Sequence, residues 1–317
     1  MLGQQDVGHR IVVRRIVGIR EGRPLFSDAL GELVELSESH LTLATAQGPL
    51  RVPRDEVHRA KRVPPTRRPT ASAVTELELA ADEAWPAQIR GRLGGWLLRA
   101  ADGWTGRANS ALPVGDPDRP LPAAVDAVER WYRDRGLPAM VNTPLPLAAP
   151  VGAELDARGW ATRPPVLVQT APLPLPAAPP GAGPAVVELA TAPSDEWLAV
   201  AAGRKGGLPD AARHVLTAVD QVRFAHAYAD GTLIGIGRGT VTGPGRWLGL
   251  SLIEVLPEAR RQGLAGRLIR ALADWAVAIG STRAFLQVEQ SNTGAVALYQ
   301  GLGFTTHHTY LTRAAPR

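Results

Sequence analysis

The chain has 317 residues, 45% of them hydrophobic, enough for two or three domains of about 100 to 150 residues with real cores. Cysteine is absent, which excludes disulfides, thiolate nucleophiles and cysteine-based zinc sites and accords with a reducing compartment. Basic residues exceed acidic ones by five, and all but Lys61 and Lys205 are arginines. No signal peptide is read at the N-terminus, and no apolar run approaches the roughly 18 residues of a membrane span. A cytoplasmic protein with no membrane partner is the expectation.

Residues 9–63 alternate short β-type runs with turns. Ile11, Val13, Leu33, Val34, Leu36, Leu41, Leu43, Leu50 and Val52 supply apolar positions, and Gln47-Gly48 is a turn candidate. Five strands in this length predict a small β-barrel of the Src-homology-3 kind over residues 1–66, either a docking module or a packing appendage. Seven basic residues crowd residues 51–68 against Asp55 and Glu56. Pro53, Pro64, Pro65 and Pro69 prevent a continuous basic helix there and no aromatic is interleaved, so a solvated linker over residues 64–72 is expected, not a nucleic-acid surface.

Mixed α/β patterning follows. A helix is expected over residues 74–84, then a tryptophan-rich hairpin joining residues 95–100 to 104–112 through Asp102-Gly103. Val125, Val128 and Tyr132 mark an amphipathic helix over residues 122–135, with Gly136 at its end. After a strand at residues 139–142, residues 152–170 can be laid beside residues 294–313. Leu155 then matches Leu298, and Gly159-Trp160 matches Gly303-Phe304 after a one-residue deletion, with Asp156 opposite Tyr299. This similarity indicates an internal repeat. The proline-rich residues 172–184 read as a semi-rigid linker between the copies.

The last part begins with a strand near residue 185, helices at residues 194–202 and 209–219, and three strands up to Val255. Residues 203–207 read as a flexible loop. Residues 253–272 then bring an apolar run, a proline stop and a glycine-bearing basic turn that opens into an amphipathic helix. Leu264, Leu268, Ala271, Leu272, Trp275, Ala276 and Ile279 recur at intervals of three and four, and Gly280 ends the stripe. The first amides of such a helix lack internal partners and attract anions. Gly263 and the small Ala265 permit close approach, while Arg260 and Arg261 add fixed charge. The dinucleotide fingerprint and the P-loop are both excluded by their missing glycines and lysine.

Arg260, Gly263 and Ala265 fill the Arg/Gln-x-x-Gly-x-Gly/Ala pattern, and a second block follows in order: a strand over residues 284–288, Glu289, Asn292, Ala295, Leu298, Tyr299 and Gly303-Phe304. In these residues the chain resembles the GNAT superfamily of N-acetyltransferases. The resemblance implies an α/β fold with a mixed sheet. It implies an acetyl-CoA-dependent GNAT domain over residues 184–317 and a degenerate GNAT-like domain over residues 72–176, in tandem behind the β-barrel. It also implies that Ile253, Val255, Arg260, Arg261, Gln262, Gly263, Leu264, Ala265, Gly266 and Asn292 contact acetyl-CoA. No metal is called for. Tyr299 takes the place of the family's general acid.

A lysine-like amine with a pKa near 10.4 is neutral only about once in 2,500 molecules at pH 7, a penalty of roughly 4.6 kcal/mol. Glu254, on the strand flanking the thioester, is the candidate base, with Glu289 as its rival; Glu254 is otherwise a partner for Arg260 or Arg261. Asn292 can equally be the N-cap of the helix it precedes. His307 and His308 point to opposite faces of a strand and make a poor metal pair. The expected partner is a small-molecule or protein amine, read by loops around residues 203–220 and by the middle domain. The rival reading is a non-catalytic acyl-CoA sensor.

Overall fold

A computed structural model describes residues 2–20, 22–45, 48–63, 69–177, 185–205 and 207–316. It divides into two compact units, Met1–Arg68 and Pro69–Arg317.

The first unit is an antiparallel sheet of β1 (Arg10–Arg20), β2 (Arg23–Leu36), β3 (His40–Thr45), β4 (Gly48–Pro53) and β5 (Val57–Arg62). Its order is β4-β3-β2-β1-β5, so β5 returns to the free edge of β1. Alternation buries Ile11, Val13, Leu33, Leu41, Leu43 and Val52 on one face. Val34 is 48% exposed, because the period of two turns it away from its neighbour Leu33. Of the predicted turn, Gly48 opens β4 and Gln47 lies outside the described residues, as do residues 64–68 of the predicted linker.

The second unit opens on α1 (Ala71–Ala84), which starts inside the predicted linker because Thr70 caps it, accepting the Ala73 amide at 3.2 Å. Then come the hairpin β6 (Ile89–Leu93) and β7 (Trp96–Ala100), α2 (Leu121–Arg133), β8 (Met140–Leu145), α3 (Ala149–Ala157), β9 (Ala161–Thr162) and β10 (Val166–Pro172). The hairpin turns at Gly94-Gly95, not at Asp102-Gly103. The predicted partner strand, residues 104–112, is mostly a loop joined to β7 through the Leu97–Leu112 bridge. The remainder is β11 (Val186–Ala190), α4 (Asp195–Lys205), α5 (Asp210–Thr217), β12 (Val222–Ala229), β13 (Thr232–Thr242), β14 (Trp247–Val255), α6 (Leu264–Ala278), β15 (Arg283–Glu289), α7 (Thr293–Gly301) and β16 (Thr305–Ala314). Residues 203–205 continue α4 and are not the expected loop; Gly206 lies outside the described residues.

One mixed sheet runs β11-β12-β13-β14-β15-β10-β16-β8, with β9 alongside β16. Among its strand-to-strand pairings in the described residues, β14 with β15 is parallel and the rest are antiparallel. The order records an exchange. β8, α3 and β10 follow one another as β15, α7 and β16 do, yet β10 lies between β15 and β16, and β16 lies between β10 and β8. Each copy's last strand therefore pairs with the penultimate strand of the other. The repeat is ungapped. α3 and α7 both span nine residues. The Trp160 amide donates to the Leu155 carbonyl, as Phe304 does to Tyr299, each at 3.0 Å, and Gly159 and Gly303 turn the chain at φ +73° and +88°. Leu155, not Asp156, therefore stands in the place of Tyr299. Asp156 instead grips Arg313 of β16 through two hydrogen bonds of 2.7 and 2.9 Å.

α6 seats on the sheet along a glycine track. A Cβ at Gly235 would meet Leu264 and Leu268 side chains at 3.3 Å, one at Gly237 would meet Ile253 at 3.0 Å, and one at Gly239 would meet Leu272 at 3.0 Å. Leu264, Leu268, Ile269, Leu272, Ala273 and Ala276 are buried there. Gly239→Val should therefore overpack this seam, lowering stability by about 1–3 kcal/mol. A lower urea midpoint at unchanged slope would show it, and an unaltered midpoint would refute the seam.

Candidate active site

β14 and β15 pair in parallel only from Trp247↔Arg283 to Leu250↔Leu286, and then diverge. The divergence begins at a bulge. Ile236 faces Glu254 and Arg238 faces Ser251, leaving Leu252 and Ile253 opposite Gly237 alone. Leu252 adopts φ +52°, a left-handed value uncommon for a bulky residue. The diverging strands open a cavity of about 1280 Å³, flanked by Ile253, Glu254 and Val255 on one side and Gln287, Val288 and Glu289 on the other.

The turn into α6 closes the outer end of this wedge. Arg261 and Gly263 have φ +65° and +74°, and Gly263 is the residue before the first helical turn. A Cβ at Gly263 would meet nothing within 4 Å, so glycine serves the backbone conformation there and leaves the space open. The amides of Leu264, Ala265 and Gly266 are those for which the helix offers no internal acceptor. Arg260 is anchored on the strand end, its Nε donating to the Val255 carbonyl at 3.0 Å and its Nη2 reaching Glu254 at 3.5 Å. Glu254 thus lines the cavity as an ion-pair partner of Arg260. Gln262 turns back toward the Glu258 carbonyl at 3.5 Å. Positive backbone ends, Arg261 and an unobstructed glycine face the same cavity, an arrangement that can hold an anion.

Across the wedge, Asn292 caps α7, its side chain accepting the Ala295 amide at 3.2 Å. Half-buried Tyr299 lines the cavity, its ring edge-on to Phe304 at 6.0 Å between centroids. Glu289 ends β15 and is exposed. The wedge therefore gathers the predicted Ile253, Glu254, Val255, Arg260, Arg261, Gly263, Leu264, Ala265, Gly266, Asn292 and Tyr299 on one cavity, and Glu289 with them.

The inner wall comes from residues that the sequence reading did not single out. Trp85, Thr105, Arg107 and Arg163 line it, with Tyr310 of β16. Among the described residues none of residues 203–220 lines the cavity, whereas the first copy of the repeat does. Trp85 stacks on Trp104 at 5.4 Å, with Arg107 and Arg238 against its ring. Burial, aided by the nearby Arg107, pushes the Arg238 guanidinium down to about 9. Burial likewise raises the Tyr310 hydroxyl above its ordinary value. The density of tryptophan in residues 85–104 was the available signal for this wall.

Comparisons with known proteins agree with this geometry. The family model described as "Probable histone acetyltransferase Rv0428c C-terminal" matches residues 71–312. The probable histone acetyltransferase Rv0428c of Mycobacterium tuberculosis is 31% identical over 322 residues, covering 97% of this chain and 95% of its own. The uncharacterized N-acetyltransferase YobR of Bacillus subtilis is 28% identical over 255 residues, 76% of this chain and 99% of its own. Among solved structures, a GCN5-related N-acetyltransferase from Kribbella flavida superposes with a TM-score of 0.60 at 16% identity, over 77% of this chain and 96% of that one. A tandem GNAT protein from the clavulanic acid biosynthesis pathway gives 0.51 at 17% identity, over 79% and 90%. Both show the same fold. No helix among the described residues is long and apolar enough to cross a membrane. The open wedge, the Gly263 turn and the matched length together make this chain a GNAT-type N-acetyltransferase, belonging to the family of the Rv0428c C-terminal region.

Proposed function

We propose that the protein transfers an acetyl group from acetyl-CoA to a primary amine by direct attack, without a covalent enzyme intermediate. The carrying observation is the single cavity that holds Glu254, the Gly263 turn, Asn292 and Tyr299 together. In this reading the α6 mouth with Arg261 binds the diphosphate, and Ile253 and Val255 offer strand backbone to the pantetheine arm as an added strand would. Bound acetyl-CoA supplies the activated acyl carbon.

Glu254 then takes one proton from the acceptor ammonium through an ordered water, and Arg260 holds that carboxylate at the wedge. Amine nitrogen bonds to the acyl carbon as the carbon–sulfur bond breaks. A backbone N–H at the bulge steadies the oxyanion. Tyr299 gives its proton to the departing sulfur and regains one from the new amide nitrogen, so one proton is released per turnover. The acceptor is a small-molecule or protein amine; the name of the mycobacterial relative suggests protein lysine. No nucleic acid or membrane enters the scheme, and the cysteine-free composition suits a cytoplasmic setting.

Three substitutions test it. Tyr299→Phe should lower kcat about 100-fold while the acetyl-CoA KM stays within about twofold. Equal kcat would remove Tyr299 from the proton path. Glu254→Gln should depress kcat/KM for the amine by about 100-fold at pH 7 and recover as pH rises toward the amine's own pKa. A uniform loss at all pH values would assign Glu254 to Arg260 alone. Gly263→Val places a branched residue at φ +74° and should weaken acetyl-CoA binding about tenfold by calorimetry. Unchanged affinity would dissociate the turn from the diphosphate.

A further inference from the structure

The inner wall of the cavity carries Arg107, and Arg238 lies against the Trp85 ring that also lines it. Arg107 and Arg238 sit 5.0 and 5.3 Å from the Trp85 ring centroid, and neither forms an ion pair among the described residues. Arg238 directs its donors to neutral acceptors, the carbonyls of Leu216 (2.8 Å), Ala84 (2.9 Å) and Val215 (3.3 Å) and the Ser251 hydroxyl (3.4 Å). The Nε of Arg107 is buried and has no hydrogen-bond partner among the described residues. Nearby carboxylates are committed elsewhere. Asp82 binds Arg90 and Arg99, and Glu78 accepts from His308 Nε2 at 2.7 Å. The Tyr310 hydroxyl donates to Gln287 at 3.4 Å. Burial pushes the Arg107 guanidinium below its ordinary value, with Tyr310 and Glu78 acting the other way and Arg99 adding to the depression. Arg107, half-buried on the cavity wall with an unmet Nε donor, would be stabilised by an anion entering there.

The loop presenting Arg107 is held in place. Asn109 accepts the amides of Ala101 and Gly103 at 2.8 and 3.0 Å and donates to the carbonyls of Trp104 and Thr105, both at 2.9 Å. This fixes Thr105 at φ +61°, a strained value for a β-branched residue, with its hydroxyl accepting the Trp85 indole N–H at 3.0 Å. Gly106 leaves room for the Arg163 guanidinium, which would stand 3.3 Å from a Cβ there. A strained, cross-braced loop aims one guanidinium into the cavity and sets a second beside it. The wall adjoins Leu252, and Ser251 through Arg238, whereas the Gly263 turn adjoins Val255 beyond the bulge. Its anion is thus separate from the diphosphate.

We propose that this wall binds a carboxylate on the acceptor, with Arg107 as its ligand and Arg163 at the rim. The substrate is then a small amine of amino-acid type, not a lysine within a basic peptide. A planar guanidinium with an unmet donor matches a planar carboxylate. The inference rests on the acetyl-transfer reading above, and the carboxylate takes no part in the bond changes given there.

The test compares L-amino acids with their carboxamides as acceptors at fixed acetyl-CoA, together with a lysine-rich histone-tail peptide. The acids should exceed the amides by about 10- to 100-fold in kcat/KM, the peptide should be poor, and Arg107→Gln should abolish the acid-to-amide ratio. Arg107→Lys, which keeps charge but loses the fork, should retain part of it. A second readout does not need turnover: N-acetyl amino acids should raise the melting temperature of the full chain without acetyl-CoA, and their amides should not. Amides or peptide used as well as acids, or a preference that survives Arg107→Gln, overturns the proposal. If Arg107→Gln does not fold, the acid–amide comparison on the native protein decides. Failure of acetyl-CoA itself to bind would strike the transfer reading, and the melting shift would still judge the carboxylate site. Acetyl-CoA binding with no carboxylate response in either assay would strike only this inference.

Discussion

The fit of the α6 leucines into the glycine track of β13 is the contact on which the site depends. Leu264, Leu268 and Leu272 approach closely enough that a methyl group at Gly235 or Gly239 would crowd them. This sets the height of α6 above the sheet, and with it the position of the amides that follow Gly263. Gly237, in the same track, faces the bulge of β14, and Ile253 packs where its side chain would be. One stretch of one strand thus governs both the helix mouth and the place where β14 leaves β15. An α-helix on a strand with side chains at these positions would ride higher, and the turn would miss the wedge.

The two copies of the repeat divide the work. The second supplies the wedge, the basic turn and the hydroxyl of Tyr299. The first has Leu155 where Tyr299 stands and lacks the basic turn, yet it provides the inner wall through Trp85, Thr105, Arg107 and Arg163. A copy that holds none of the proposed transfer groups therefore lines the same cavity as they do. Its position is secured by strand pairing on both sides and by Asp156 on Arg313 of the other copy.

Local patterns made the second copy readable. The stripe of α6, the glycine before it and the Asn292 cap are signals carried within a few residues, and each falls where periodicity and backbone chemistry put it. The Glu254–Arg260 contact was legible as an alternative for the same reason. Strand exchange was not, since nothing near residue 166 states that it will pair with residues 289 and 310. The hairpin was misread because Asp102-Gly103 does form a tight turn, with φ +47° and +72°, but Asn109 ties that turn into a loop and no strand continues from it. Arg107 stayed hidden because its significance lies in one unmet donor, its Nε, and in the cavity it lines, which only the packed wall reveals. The repeat was visible through its Gly-aromatic corners, while its register required the carbonyl that each aromatic amide selects.

The interleaving of β10 and β16 has a consequence for how such a chain can change over time. A duplicated domain is ordinarily free to decay, because losing it leaves its sister whole. Here deletion of the first copy would leave β16 with no strand beside it and bare one edge of β15, an invitation to self-association. Single residues of that copy can change while the sheet stays paired, but its removal as a block is barred, and so the copy is kept by its strands rather than by any one side chain.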